Sequence, residues 1–86
     1  MLLGVDLGEK TTGLATSDSS LATPFKTITH KTNAEALEKI TKEIDDLGVN
    51  TVVVGFVEGK IKPFFENFVN KLQAQRPSIK TVVNLL

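Results

Sequence analysis

Gly4-Val5-Asp6-Leu7-Gly8-Glu9-Lys10-Thr11-Thr12-Gly13-Leu14-Ala15-Thr16-Ser17-Asp18 is the stretch that decides the fold of this chain. The apolar run from Leu2 ends in a carboxylate, which predicts a first strand with Asp6 at its end. Gly8 follows, and Glu9-Lys10-Thr11-Thr12 reads as a turn closed by Gly13. Gly13 to Ser17 is then a second strand, ended by the polar cluster Asp18-Ser19-Ser20. A carboxylate at the end of an apolar strand costs free energy unless something cationic or hydrogen-bonding satisfies it. Two readings of Asp6 follow. It faces a metal ion or phosphate, or it is a turn aspartate bonding its own loop amides. Gly8 permits positive φ and a close approach of ligand to backbone.

Working outward, Phe25 to Thr29 reads as a third strand after Pro24, with Phe25, Thr27 and Thr29 on one face and Lys26 and Ile28 on the other. The short connections predict an antiparallel meander. Thr32-Asn33-Ala34-Glu35 is a capping-box signature. The helix it opens carries Leu37, Ile40, Ile44 and Leu47 on one stripe and stops at Gly48. Glu35–Lys39 and Glu38–Lys42 are i,i+4 pairs of favourable polarity. Thr51-Val52-Val53-Val54-Gly55-Phe56 reads as a buried strand of the parallel-sheet kind. A second helix starts near Pro63, with Phe64, Phe65, Phe68, Val69 and Leu72 as its apolar face. Two adjacent phenylalanines cannot share one direction on a helix, so one of them is a candidate for a rim or a subunit interface. Thr81 to Leu85 is a last strand. The order is βββαβαβ. Two right-handed crossovers give a mixed sheet in which the first, fourth and fifth strands are parallel.

Composition narrows the function classes. Eighty-six residues make one domain, and 41% hydrophobic with 23% charged residues is ordinary for a soluble globular protein. A chain this short buries only about 60–65% of the surface of its unfolded form. With no cysteine, packing alone must stabilise it. No apolar run approaches the roughly 20 residues of a membrane span. Neither this nor the N-terminus suggests a membrane or a secretory route, so a cytoplasmic location is the expectation. The net charge is zero, from ten basic and ten acidic residues. That counts against autonomous nucleic-acid binding, which normally rests on a basic excess.

The segment from Gly4 to Asp18 resembles the N-terminal signature of the YqgF (RuvX) family, described as Holliday-junction resolvases and as nucleases maturing pre-16S ribosomal RNA. Ala22-Thr23-Pro24-Phe25-Lys26-Thr27-Ile28 is similar to the next strand of that family, and Val52-Val53-Val54-Gly55-Phe56 to its fourth. The resemblance implies an RNase H-like α/β fold over residues 1–86, in agreement with the element order. It also implies phosphodiester hydrolysis aided by Mg²⁺ or Mn²⁺, on branched DNA or precursor rRNA. Asp6 matches the first catalytic, metal-binding carboxylate of the family. Gly8 and Lys10 match positions that meet phosphate, and Ser17-Asp18 match a Ser-Asp that ties down the second strand. A lysine in a turn is equally well explained as a solvated surface residue.

Two-metal hydrolysis needs several converging carboxylates. The resemblance places a second, a Glu, just after the fifth strand and a third, an Asp, on a later helix. The chain reaches Leu86 about where that Glu is due, so the domain is expected to be incomplete and to show little or no turnover. Thr11 stands where the family commonly has Arg, and Val57-Glu58-Gly59-Lys60 is shorter than the usual substrate loop. Glu58 is the acid nearest the fourth strand and a stand-in metal ligand, against the plainer reading of a solvated loop acid. His30 has no Cys or second His to join it, so it is not expected to bind metal.

Two other functions compete with a nuclease. The chain is a non-catalytic family member acting as a binding module or homodimer, or a phosphate-binding fragment of the actin and sugar-kinase type. Asp6-Leu7-Gly8 with Thr11-Thr12 partly matches the opening turn of those ATPases.

Overall fold

The computed structural model describes residues 1–18, 22–56 and 62–85. Strands β1 (Leu2–Asp6), β2 (Thr11–Ser17) and β3 (Thr23–Thr29) come first. Helix α1 (Asn33–Leu47), strand β4 (Thr51–Phe56), helix α2 (Lys62–Gln75) and strand β5 (Lys80–Leu85) follow. The five strands form one sheet in the order β3-β2-β1-β4-β5. β1–β2 and β2–β3 are antiparallel, whereas β1–β4 and β4–β5 are parallel. The expected meander and the expected parallel set are both present, and the arrangement is that of an RNase H-like sheet.

The connections β3-α1-β4 and β4-α2-β5 both advance across the sheet in the same direction. With the usual right-handed crossover, both helices then lie on the same face. The burial pattern agrees. Leu3, Val5, Leu14, Ile28, Val52 and Val54 share one core with Ala36, Leu37, Ile40 and Ile44 of α1 and the apolar arc of α2. Leu2, Gly4 and Asp6 alternate with Leu3 and Val5, so the pleat turns them to the face without helices.

Local signals act as expected in α1. Thr32 Oγ1 accepts from Glu35 N–H at 3.1 Å. Gly48 takes the left-handed conformation, φ 68°, and its N–H donates to Ile44 O at 3.0 Å. Two details differ. Glu35 reaches back to the N–H of Lys31 (2.7 Å), one residue before the cap. Lys42 pairs with Asp46 at 2.6 Å, not with Glu38, whereas Glu35–Lys39 forms at 3.9 Å.

Other boundaries move for tertiary reasons. β2 starts at Thr11, not at Gly13, because Thr11 and Thr12 pair with Thr29 and Ile28 across the sheet. β3 includes Thr23 and Pro24, which an edge strand tolerates; the register slips between Leu14 and Ala15 beside Pro24. Phe64 and Phe65 are both buried, because α2 packs against α1 on one side and β4 on the other. Neither forms a rim. Phe64 and Phe68 meet edge to face, with centroids 6.5 Å apart. Among the described residues no helix is long and apolar enough to cross a membrane.

Candidate functional site at the end of strand β1

Asp6 closes the central strand of the sheet, beside Gly13 of β2 and Gly55 of β4. Just beyond it, Leu7 N–H donates to Gly55 O (3.0 Å), which carries the β1–β4 ladder one step further. Leu7 itself is buried on the helix side. Strand alternation therefore aims Asp6 at the open face, and its side chain is exposed. Glycine on both sides leaves it no wall. A shallow groove of about 470 Å³ lies there, lined by Gly4, Asp6, Gly13, Ala15, Phe25, Val53 and Gly55 among others.

Among the described residues the Asp6 carboxylate takes part in no hydrogen bond or ion pair. The alternative of an Asx-turn, in which Asp6 bonds its own loop amides, is therefore not what the turn contains. An exposed carboxylate left unpaired at a strand end fits one ligand position of a hydrated divalent cation. Mg²⁺ keeps several waters and is commonly held by one or two carboxylates.

The turn that follows brings Gly8 and Lys10 to the same end of β1. Gly8 is required there, but not for positive φ, which it does not adopt. The turn folds so tightly that a Cβ at Gly8 would stand 2.1 Å from Thr11 O. The Gly8 N–H points back at Thr12 Oγ1, 3.5 Å away. Lys10 is exposed and its ammonium has no partner among the described residues, while its carbonyl accepts from His30 N–H at 2.8 Å.

Ser17 and Asp18 lie elsewhere. Ser17 pairs with Leu2, four positions along the strand from Asp6, roughly 13 Å at strand rise. They close the far end of β2 and do not join the Asp6 site. Glu58 lies outside the described residues. Among the described residues no group of three or more His, Asp or Glu side chains gathers to hold a metal. The set of converging carboxylates that two-metal hydrolysis needs is not assembled from them.

His30, set aside above as a metal ligand, has another place in the structure. It is 3% exposed, and its Nε2 stands 2.9 Å from Oγ1 of the fully buried Thr12. Burial lowers its pKa below the usual histidine value, with Glu35 opposing and Lys39 adding to the effect. The only sequence signal for this pairing is weak: a polar Thr12 in the same alternation as Leu14, on the side of β2 that faces the core.

The sequence matches the profile of the RuvX family, described as Holliday junction resolvase, over residues 1–83. The chain belongs to this family. Its curated relatives include a "putative pre-16S rRNA nuclease" of Rhodospirillum centenum, 34% identical over 85 residues, which covers 91% of this chain and 45% of the relative. A protein of the same description from Paramagnetospirillum magneticum is 46% identical over 56 residues, 63% of this chain and 36% of the relative. A third, from Acetivibrio thermocellus, is 38% identical over 58 residues, 64% of this chain and 41% of the relative. The chain thus spans less than half the length of the relatives it matches.

Proposed function

We propose that this chain carries the first metal-binding corner of a nuclease that hydrolyses phosphodiesters in branched DNA or precursor rRNA. Asp6 is its metal ligand, and the Gly8 turn and the Lys10 ammonium are where phosphate is met. Membership of the RuvX family supports the substrate class. The observation that carries the site is the Asp6 carboxylate: exposed, unpaired among the described residues, and flanked by glycine at the end of the central strand. Nothing among the described residues uses it.

A divalent ion, Mg²⁺ or Mn²⁺, would there supply positive charge to a phosphate oxygen and acidify a bound water. The residues of this chain divide the remaining work. Asp6 would hold the ion at the groove, and the tight turn at Gly8 keeps Lys10 at the same end of β1. Lys10 contributes a mobile point charge. Thr11 cannot add the fork of an arginine.

A second reading is a binding or dimerisation module without turnover. It is favoured by the lack of a carboxylate cluster among the described residues and by the exposed Phe25, Val82 and Val83. Sedimentation at rising concentration separates a monomer from a dimer.

The test is a Mn²⁺ titration followed by paramagnetic broadening of amide resonances, with Asp6→Asn as comparison. Broadening centred on Asp6 and Gly8 is expected, and its loss in the variant, with stability within about 0.5 kcal/mol of wild type. Broadening that survives in Asp6→Asn rules out the assignment. Little hydrolysis of branched DNA or single-stranded RNA is expected from these 86 residues alone. Turnover that Asp6→Asn abolishes would show that a further group completes the site.

A further inference from the structure

Among the described residues His30 is the only ionisable side chain in the buried set. A buried imidazole has to be satisfied, and His30 spends its contacts on one short segment. Its backbone N–H donates to Lys10 O at 2.8 Å. Its ring Nε2 lies 2.9 Å from Thr12 Oγ1, and the same oxygen is the acceptor facing Gly8 N–H at 3.5 Å. The start of β2 is thus held at Lys10 by the main chain of His30 and at Thr12 by its side chain. Thr12 passes the hold on to Gly8.

One tautomer uses both contacts of Thr12 Oγ1 fully. Thr12 Oγ1 accepts from Gly8, which leaves its own hydrogen to give to Nε2; His30 then carries its proton on Nδ1. Nδ1 has no partner among the described residues in either tautomer, and the opposite one also leaves the hydroxyl hydrogen without Nε2 as acceptor. The surroundings keep the ring neutral and in place. Phe64 of α2 covers it at 6.2 Å between centroids, and Glu35 and Lys39 of α1 are the charges that act on it.

We propose that His30, acting through Thr12, is a positioning residue for the Asp6 site. It touches neither metal nor phosphate. It sets the turn that carries Gly8 and Lys10 next to Asp6, one step further out than the partners that orient metal ligands elsewhere. This role rests on the reading of Asp6 as a metal ligand given above.

Two measurements on the whole chain separate the possibilities: hydrogen exchange of the Gly8 amide, and Mn²⁺ affinity from paramagnetic broadening. The variants are Thr12→Val, which keeps the shape and removes the hydroxyl, Thr12→Ser, which keeps the hydroxyl, and His30→Gln and His30→Leu. Thr12→Val and His30→Leu are expected to speed Gly8 exchange and to weaken Mn²⁺ binding about tenfold. Thr12→Ser and His30→Gln are expected to stay within about threefold of wild type, because a polar partner remains at each position. A folded Thr12→Val with wild-type Mn²⁺ affinity, or with unchanged Gly8 exchange, overturns the proposal. Should wild type show no Mn²⁺ broadening near Asp6, the metal assignment fails and the positioning role fails with it. Gly8 exchange then reports only whether the clamp itself exists.

Discussion

Asp6 and Gly13 stand opposite each other on β1 and β2, and a methyl group placed on Gly13 would meet Asp6 Cβ at 3.8 Å. That is ordinary van der Waals contact. Gly13 has no positive φ either, so the fold itself does not require glycine there. Gly8, two residues beyond Asp6, is the reverse case, with Thr11 O 2.1 Å from the Cβ position.

Gly13→Ala should therefore fold normally, with stability equal to wild type or higher by up to about 1 kcal/mol, since alanine restricts the unfolded chain. Gly8→Ala should cost about 1–3 kcal/mol, because the Thr11 backbone has to shift. Urea denaturation of the two variants measures both. A Gly8→Ala protein as stable as wild type would contradict the tight turn.

The lowered pKa of His30 makes a signed prediction. In the unfolded chain its pKa is near 6.5, and burial holds the folded value below that. Between the two values the unfolded state binds a proton that the folded state does not, so stability falls as pH drops below 6.5 and levels off below the folded pKa. His30→Gln should remove this portion of the pH dependence. Denaturation midpoints of both proteins, followed from neutral pH downward, test it. A wild-type profile parallel to that of His30→Gln would mean that the ring is not desolvated.

Arg76, just past the end of α2, grips Asp45 of α1 with two hydrogen bonds, 2.9 and 2.6 Å. The Arg76 guanidinium lowers the Asp45 pKa, first by hydrogen bonding and then by charge. A depressed carboxylate stabilises the fold above its unfolded value of 3.8, and loses that contribution as pH falls through the folded pKa. Asp45→Asn should be slightly less stable than wild type at neutral pH, and the difference should vanish in acid. Both groups are solvated, so added salt should shrink the difference too. A gap between the two proteins that persists in acid would place its origin in packing.

A fourth expectation concerns the core. Phe68 is 2% exposed and packs against Phe64. Phe68→Ala should cost about 3–5 kcal/mol, a large share of what a domain of this size possesses. Thermal unfolding will show it as a marked fall in Tm.

How far the sequence could be read depended on the range of the interactions. The Thr32 cap, the Gly48 stop and the Glu35–Lys39 pair lie within one turn of helix, and each formed. Glu38–Lys42 did not, because Asp46 competes for the same lysine one turn further on. Thr11 and Thr12 read as turn residues until their partners Thr29 and Ile28 are known. His30 looked inert because its partner, Thr12, lies 18 residues away.

The sequence by itself determined the element order, the RNase H-like class, the family and the place of Asp6 at the end of β1. Periodicity, caps and a short motif are local properties, and local properties survive without coordinates. Only the tertiary structure decided that the Asp6 carboxylate is unpaired among the described residues and faces a helix-free side of the sheet. It also decided that Gly8 is needed for steric room and that His30 closes on the turn beside it. Those outcomes depend on which backbone and side-chain groups meet across strands, and contacts between distant residues are fixed by packing of the whole sheet.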